Sequence, residues 1–193
     1  MKQLLPFILC SLFITSAHAN NIEQQAVFAG GCFWCMEHAF DDVNGVSSTI
    51  SGYIGGHKHN PTYKEVVTGR TGHTEAVKIT FDSKEISYQD LLAIYWRNVD
   101  PTTLQGQFCD KGNQYRPEIF FYSAEQQQLA ESSKAQLQKT VNFPIKVNIT
   151  QASEFYPAEE YHQDFHHKNP IRYKFYRFNC GRDQRLDELW NDK

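Results

Sequence analysis

The segment Gly30-Gly31-Cys32-Phe33-Trp34-Cys35 places two thiols about one helical turn apart, with two large aromatic side chains between them. An apolar run at residues 26–29 precedes this segment and predicts a buried strand, and residues 36–40 after it predict a helix. This order places Cys32 at a helix N-terminus, where unpaired backbone N–H groups favour an anion. The pattern therefore predicts an acidic, nucleophilic thiol at Cys32, beside an apolar pocket.

A Cys-x-x-Cys pair also occurs in zinc sites and in structural disulfides, so the pair alone leaves several functions open. A structural zinc site needs further ligands at similar spacing, and Cys109 and Cys180 are isolated in the sequence. Redox or nucleophilic chemistry is therefore favoured over zinc, while a structural disulfide stays open.

The N-terminal residues have the pattern of a targeting segment. Lys2 supplies a positive charge, residues 4–14 form an apolar stretch, and Ala17-His18-Ala19 resembles a cleavage site. The sequence therefore predicts a signal peptide at residues 1–19, export of the chain and a periplasmic location, with an uncleaved anchor as the alternative. Cys10 would be removed with this segment.

Residues 20–193 predict a single domain, because this length can bury a full hydrophobic core. The net charge of −3 and the lack of a basic cluster argue against a nucleic-acid partner, and we expect none. The 14 Phe and 10 Tyr residues suit a lined pocket, because a tyrosine can bury its ring and still present a hydroxyl group. For the mature chain we expect a monomer without a membrane partner.

The pattern of apolar residues predicts the order of the elements. Further strands are predicted at residues 45–53, 75–82, 117–122 and 144–149, and helices at residues 87–95 and 123–140. The order β-α-β-β-α-β predicts an α+β fold of the ferredoxin-like split β-α-β type. Two long loops, 54–72 and 101–116, are expected to carry function. Beyond residue 157 we expect a short helix near Tyr161, an irregular tail and a last helical turn at residues 186–190.

Three other segments carry unusual combinations of polar and aromatic residues. They are Asn60-Pro61-Thr62-Tyr63 with Gly72-His73-Thr74-Glu75, then Asp110-Lys111-Gly112-Asn113-Gln114-Tyr115-Arg116, and last Tyr156-Pro157-Ala158-Glu159-Glu160-Tyr161-His162-Gln163. With the Gly-Cys-Phe-Trp segment they resemble the peptide methionine sulfoxide reductases of the A type, over residues 26–167. The resemblance implies reduction of the S epimer of methionine sulfoxide, free and in proteins, and hence repair of oxidised proteins.

Reduction of a sulfoxide needs a soft nucleophile at sulfur and an acid for the oxygen. Cys32 is the expected nucleophile, and Glu75, with few charges around it, is expected to stay protonated and act as general acid. Tyr63 and Tyr115 can donate hydrogen bonds to the oxygen as its charge grows. The resemblance implies the same roles.

The remaining pocket residues are expected to orient the substrate. Phe33 and Trp34 would hold the terminal methyl group, and Asp110 would shape the polar side of the pocket. His162 and His166 are four residues apart and could suggest a metal site. The resemblance makes His162 structural, and we expect neither a metal nor another cofactor.

After the first step Cys32 is a sulfenic acid, which a second thiol condenses to a disulfide. The family commonly has glycine where this chain has Cys35, and its usual resolving cysteine lies in the C-terminal tail, where Cys180 stands. We therefore favour Cys180 as the resolving thiol and place Cys35 second, with a relay through both also open. Cys109 is expected to be structural. The expected reductant is a thioredoxin-like protein, or dithiothreitol in vitro.

Two other classes of function stay open from the residues alone. A general thiol–disulfide oxidoreductase would use Cys32 and Cys35 and would not need Glu75. An exported binding domain would hold structural disulfides between Cys32 and Cys35 and between Cys109 and Cys180.

Overall fold

The computed structural model describes residues 23–190, so the predicted signal peptide lies outside the described residues. The strands are β1 (Glu23–Ala29), β2 (Val46–Ile54), β3 (Thr74–Asp82), β4 (Gly106–Gln107), β5 (Asp110–Lys111), β6 (Glu118–Phe121), β7 (Asn148–Gln151) and β8 (Tyr156–Pro157). The helices are α1 (Phe33–Phe40), α2 (Tyr63–Val66), α3 (Tyr88–Arg97), α4 (Ala124–Thr140), α5 (Phe165–Lys168), α6 (Pro170–Asn179) and α7 (Arg182–Trp190).

The main sheet has six strands in the order β7-β6-β1-β3-β2-β8. The central strands β6, β1, β3 and β2 pair with one another antiparallel, whereas β7 pairs with β6 in parallel. Helix α1 connects β1 to β2, and α3 lies between β3 and β6 in the chain. This connectivity is that of the ferredoxin-like sandwich, so the predicted α+β fold is confirmed.

Residues 26–29 of strand β1 are buried on both faces of the sheet, which explains their continuous apolar run. Ala26 and Phe28 face the large core formed with α1, α3 and α4, whereas Val27 and Ala29 face a smaller cluster on the other side of the sheet. The hydroxyl of Tyr95 on α3 donates to the Ala29 carbonyl at 3.0 Å. The end of β1, from which the Cys32 turn departs, is therefore held from both sides.

Several boundaries differ from the sequence prediction. Strand β7 lies at Asn148–Gln151 rather than at residues 144–149, because it pairs with β6 in that register. The first predicted loop contains α2, and the second contains the β4–β5 hairpin.

The prediction of an irregular C-terminal tail is wrong, because α5, α6 and α7 occupy most of this region. Pro170 stands in the first turn of α6, where its missing N–H costs no hydrogen bond. Arg182 at the start of α7 is only 1% exposed and donates to the carbonyls of Gly30 and Asn98. These long-range bonds fix the tail against the Cys32 turn. Among residues 23–190, no helix is long and apolar enough to cross a membrane.

Candidate active site

Cys32 occupies the N-cap position of α1, directly after the turn that ends β1. Gly31 adopts a positive φ of 84° there, and a Cβ at this position would lie 2.6 Å from the Cβ of Gln107. Glycine is therefore required for the turn. The Cys32 side chain is 6% exposed and lines the wall of a cavity.

The protonation of Cys32 differs from the sequence prediction. Burial raises the pKa of its thiol, and the neighbouring Cys35, Glu75 and Asp110 act in the same direction. Loss of solvation therefore outweighs the favourable field at the helix N-terminus, and the expectation of an acidic Cys32 thiol is wrong for the free enzyme. The hydrogen bond from Cys32 lowers the pKa of Cys35 to about 6.

Glu75 is the second residue of β3, at the junction of the long loop and the strand. Its side chain is buried, and Oε2 accepts a hydrogen bond from the Phe33 backbone N–H at 3.0 Å. Burial raises the pKa of Glu75 to about 8, despite the opposing effect of this hydrogen bond. At pH 7 the carboxyl group is therefore mostly neutral and can donate a proton into the cavity.

Two tyrosine hydroxyl groups complete the polar side of the cavity. Burial raises the pKa of Tyr63 to about 12, and it also raises the pKa of Tyr115, so both remain donors. The backbone N–H of Tyr63 donates to Glu159 Oε1 at 2.9 Å, and Glu159 Oε2 accepts from the Tyr53 hydroxyl at 2.8 Å. This partly exposed carboxylate fixes the start of α2 against β2.

The aromatic wall is held by stacking and by one histidine. The ring of Trp34 stacks on Phe165 with centroids 3.7 Å apart, and its Nε1 donates to His162 Nδ1 at 3.1 Å. Burial lowers the pKa of His162 to about 4, so the imidazole is neutral and can accept this bond. His162 therefore positions Trp34, consistent with the structural role expected for it.

The thiol, the carboxyl group, the two hydroxyl groups and the aromatic wall meet in one cavity of about 440 Å³. Its lining includes every candidate substrate or catalytic residue from the sequence, together with Cys180, whereas Cys35 lies behind Cys32 in the buried cluster with Phe165 and Tyr173. The lining residues are Cys32, Phe33, Trp34, Tyr63, Glu75, Cys109, Asp110, Tyr115, Arg172, Phe175, Tyr176, Asn179 and Cys180.

Comparison with known proteins assigns a family to this arrangement. A family model described as peptide methionine sulfoxide reductase matches residues 24–193. The chain belongs to the peptide methionine sulfoxide reductase family.

Individual members and solved structures of the family agree with this assignment. A relative named peptide methionine sulfoxide reductase MsrA, from Listeria innocua, is 51% identical over 169 residues, which are 86% of this chain and 96% of that protein. Reduced Mxr1 from Saccharomyces cerevisiae superposes with a TM-score of 0.75 at 30% identity, covering 80% of this chain and 90% of that one. Mxr1 in complex with Trx2 shares the fold, with a TM-score of 0.55, 21% identity, and coverage of 79% and 91%.

Asp110 of this reductase is oriented by a residue that the sequence interpretation missed. The Tyr176 hydroxyl donates to Asp110 Oδ2 at 2.5 Å, and burial raises the pKa of Asp110 even against this bond. Tyr176 reaches the cavity from α6, together with Arg172, Phe175 and Asn179. The helical start signal of Pro170 could have revealed α6 in the sequence.

Within residues 23–190, the cysteines of the reductase form one bonded pair and one free pair. Cys180 caps the C-terminal end of α6 and forms a disulfide with Cys109, whereas Cys32 and Cys35 are free thiols. The binding-domain alternative expects disulfides between Cys109 and Cys180 and between Cys32 and Cys35. The first is present in the structure and the second is not. The expected place of Cys180 on an irregular tail is wrong, although the residue does reach the cavity.

Two groups of potential metal ligands occur among residues 23–190. One consists of Cys109, Asp110 and Cys180, whose two sulfur atoms are joined in the disulfide. The other consists of Asp41, His166 and His167, at the opposite end of α1 from Cys32. Neither group includes Cys32, so neither would hold a metal ion on the reacting thiol.

Proposed function

We propose that this reductase acts on the S epimer of methionine sulfoxide, both free and within oxidised proteins, and thereby repairs them. The supporting observation is the arrangement of one cavity, in which a buried thiol, a neutral carboxyl group and two hydroxyl donors face an aromatic wall. A general thiol–disulfide oxidoreductase needs only the cysteine pair, so it gives no role to the buried Glu75.

The chemistry follows from these positions. The sulfur of Cys32 attacks the sulfoxide sulfur, Glu75 transfers its proton to the oxygen, and the hydroxyl groups of Tyr63 and Tyr115 stabilise the charge on that oxygen. The protonated oxygen then passes from the substrate sulfur to the sulfur of Cys32, so that the substrate sulfur–oxygen bond and the newly formed sulfur–sulfur bond both break and a sulfur–oxygen bond forms on Cys32. Methionine leaves, and Cys32 is a sulfenic acid. The thiol proton of Cys32 restores Glu75, so the substrate sulfur gains two electrons and Cys32 loses two.

The same arrangement predicts selectivity for one epimer. With the methyl group against Phe33 and Trp34, only the S configuration points its oxygen toward Glu75 and the tyrosines. Incubation with each purified epimer and dithiothreitol, followed by chromatography of methionine, should show consumption of the S form alone. Equal rates for both epimers would contradict the proposed orientation and substrate.

The position of the cysteines supports Cys35, rather than Cys180, as the first resolving thiol. Cys35 hydrogen-bonds to Cys32, its pKa is lowered to about 6, and Cys180 is bonded to Cys109. Cys32 lies at the N-cap, outside the regular helix, which removes much of the strain expected for a bridge between two helical residues. The Cys35 thiolate attacks the sulfur of the sulfenic acid, the sulfur–oxygen bond breaks, and the hydroxyl group leaves as water with a proton from Glu75 as the disulfide forms. Cys180 could follow only after reduction of its own bond.

Replacement of Cys35 by serine should therefore leave one turnover intact and impair recycling. We expect a burst of one methionine per enzyme and a loss of at least about tenfold in turnover with a thioredoxin-like donor, which needs a disulfide to attack. Mass spectrometry of the wild-type enzyme after one equivalent of sulfoxide should find Cys32 linked to Cys35. The control is the variant with Cys109 and Cys180 both replaced by serine, which should still recycle. Loss of recycling in this control, with recycling retained in Cys35→Ser, would restore Cys180 as the first resolving thiol.

We further propose that the chain is exported with residues 1–19 as its signal peptide, and that its reductant is a thioredoxin-like domain in the periplasm. The apolar stretch and cleavage pattern at the N-terminus support export, and a yeast member of the family has been solved in complex with Trx2. Cell fractionation and N-terminal sequencing should find a mature chain that begins at Asn20 in the periplasm. A cytosolic chain that retains residues 1–19 would contradict this proposal.

A further inference from the structure

Helix α6 presents an unusual stripe of large apolar side chains to solvent. Ile171 is 84% exposed, Phe175 is 71% exposed and Phe178 is 83% exposed. These residues are separated by four and three positions, so at about 100° per residue they fall within roughly 60° of one another around the helix. Contiguous apolar groups of this size on a soluble protein commonly mark a binding surface.

The stripe is continuous with the candidate active site. Arg172, Tyr176 and Asn179 line the cavity from the neighbouring face of α6, and Phe175 belongs both to this lining and to the stripe. Tyr173, on the opposite side of the helix from the stripe, is buried and anchors α6 to the body of the protein. A chain that inserts one side chain into the cavity can therefore place its neighbouring residues against Phe175.

From these positions we infer that the α6 stripe, defined as Ile171, Phe175 and Phe178, is a subsite for the polypeptide around an oxidised methionine, and that it binds large apolar side chains next to that methionine. This inference rests on the proposed function, because it assumes that the sulfoxide side chain enters the cavity. The distance from Ile171 to Phe178 is about 10 Å along the helix, which corresponds to about three residues of an extended peptide.

The charge of α6 favours such an occupant over a second copy of this chain. The sequence of α6 is Pro-Ile-Arg-Tyr-Lys-Phe-Tyr-Arg-Phe-Asn, which contains three basic and no acidic residues. A symmetric dimer through the stripe would bring the exposed Arg172 and Lys174 of both copies together. An apolar substrate segment meets no such repulsion. Oxidised, partly unfolded proteins expose apolar segments of this kind, because their cores have opened.

The test compares substrates of different size on one pair of variants. Ile171 and Phe178 are replaced together by serine in the whole chain, while Phe175 is kept because it lines the cavity. The control variant is Tyr122→Ser, which removes a 45% exposed aromatic ring that does not line the cavity. The substrates are free methionine S-sulfoxide, a peptide with the sulfoxide between Leu and Phe, and a peptide with the sulfoxide between Gly and Ser, all with dithiothreitol.

For the stripe variant we expect kcat/KM on the Leu/Phe peptide to fall by roughly tenfold, mainly through KM, because two large apolar contacts are lost. The rates on the free amino acid and on the Gly/Ser peptide should stay unchanged, as should all rates of Tyr122→Ser. Equal kcat/KM for both peptides in the wild-type enzyme, or an equal loss on all three substrates, would overturn the inference.

Two further measurements identify a different occupant. A loss of activity in the stripe variant that is seen only with a thioredoxin-like reductant would assign the stripe to docking of the donor. A wild-type dimer that dissociates in the stripe variant would assign the stripe to a second copy of this chain. Either result would overturn the peptide subsite. If the wild-type enzyme failed to reduce free methionine S-sulfoxide, the proposed function itself would fail, and this outcome is separate from the behaviour of the stripe.

Discussion

Replacement of Cys32 by serine is expected to abolish sulfoxide reduction with either dithiothreitol or a thioredoxin-like donor. A hydroxyl group is a poor nucleophile at sulfur, and in the structure Cys109 and Cys180, the other cysteines that line the cavity within residues 23–190, are bonded to each other. Adding the substitutions of Cys109 and Cys180 by serine removes their thiols where the reductant opens this bond. Loss of the nucleophile should lower kcat by at least about 10⁴-fold. The measurement is methionine release, followed by chromatography, with excess reductant.

The Cys32→Ser variant should fold normally, because serine is a favourable N-cap residue and Cys32 already caps α1 without a side-chain hydrogen bond. Circular dichroism and thermal unfolding provide this control. A comparison with Cys35→Ser separates the two thiols, since that variant should retain its first turnover. Appreciable reduction by a well-folded Cys32→Ser protein would show that a different group attacks the substrate.

The central sheet could be predicted from the sequence because the residues of a strand either alternate between its two faces or, where both faces are buried, are continuously apolar. Val77, Ile79 and Phe81 of β3 face the large core, and the alternating pattern shows this directly. The buried strand β1 and the capped helix α4 were also predicted in their places, because their signals are local. The loops that hold the site were identified by composition, although their short elements α2, β4 and β5 were not.

The C-terminal region could not be predicted in the same way. Apolar residues on α6 are exposed on one side and buried at Tyr173 on another, so the pattern does not reveal which face packs. The bond between Cys109 and Cys180 joins residues 71 positions apart, and cysteine connectivity is not contained in local spacing. The protonation of Cys32 depends on burial and on carboxyl groups from distant loops, whereas the sequence revealed only the helix N-terminus.

Replacement of Glu75 by glutamine should lower kcat by roughly 10²- to 10⁴-fold, which is the usual contribution of a positioned proton donor. Glutamine keeps the shape and can still accept the hydrogen bond from the Phe33 N–H, but it cannot transfer a proton. The wild-type rate should fall as the pH rises through about 8, where Glu75 loses its proton, and the variant should lack this decline. Rates measured from pH 6 to pH 9.5 give both comparisons.

Stability provides an independent check on the protonation of Glu75. Its pKa rises from 4.5 to about 8 on folding, so between these values the folded protein binds more protons than the unfolded chain. Stability must therefore decrease as the pH rises through this interval, and the loss is complete above about pH 8. Glutamine does not ionise, so the free energy of unfolding of Glu75→Gln, relative to the wild type, should increase from pH 5 to pH 9 in urea titrations. A constant difference across this range, together with an unchanged rate profile, would mean that Glu75 is ionised in the folded enzyme and cannot be the general acid.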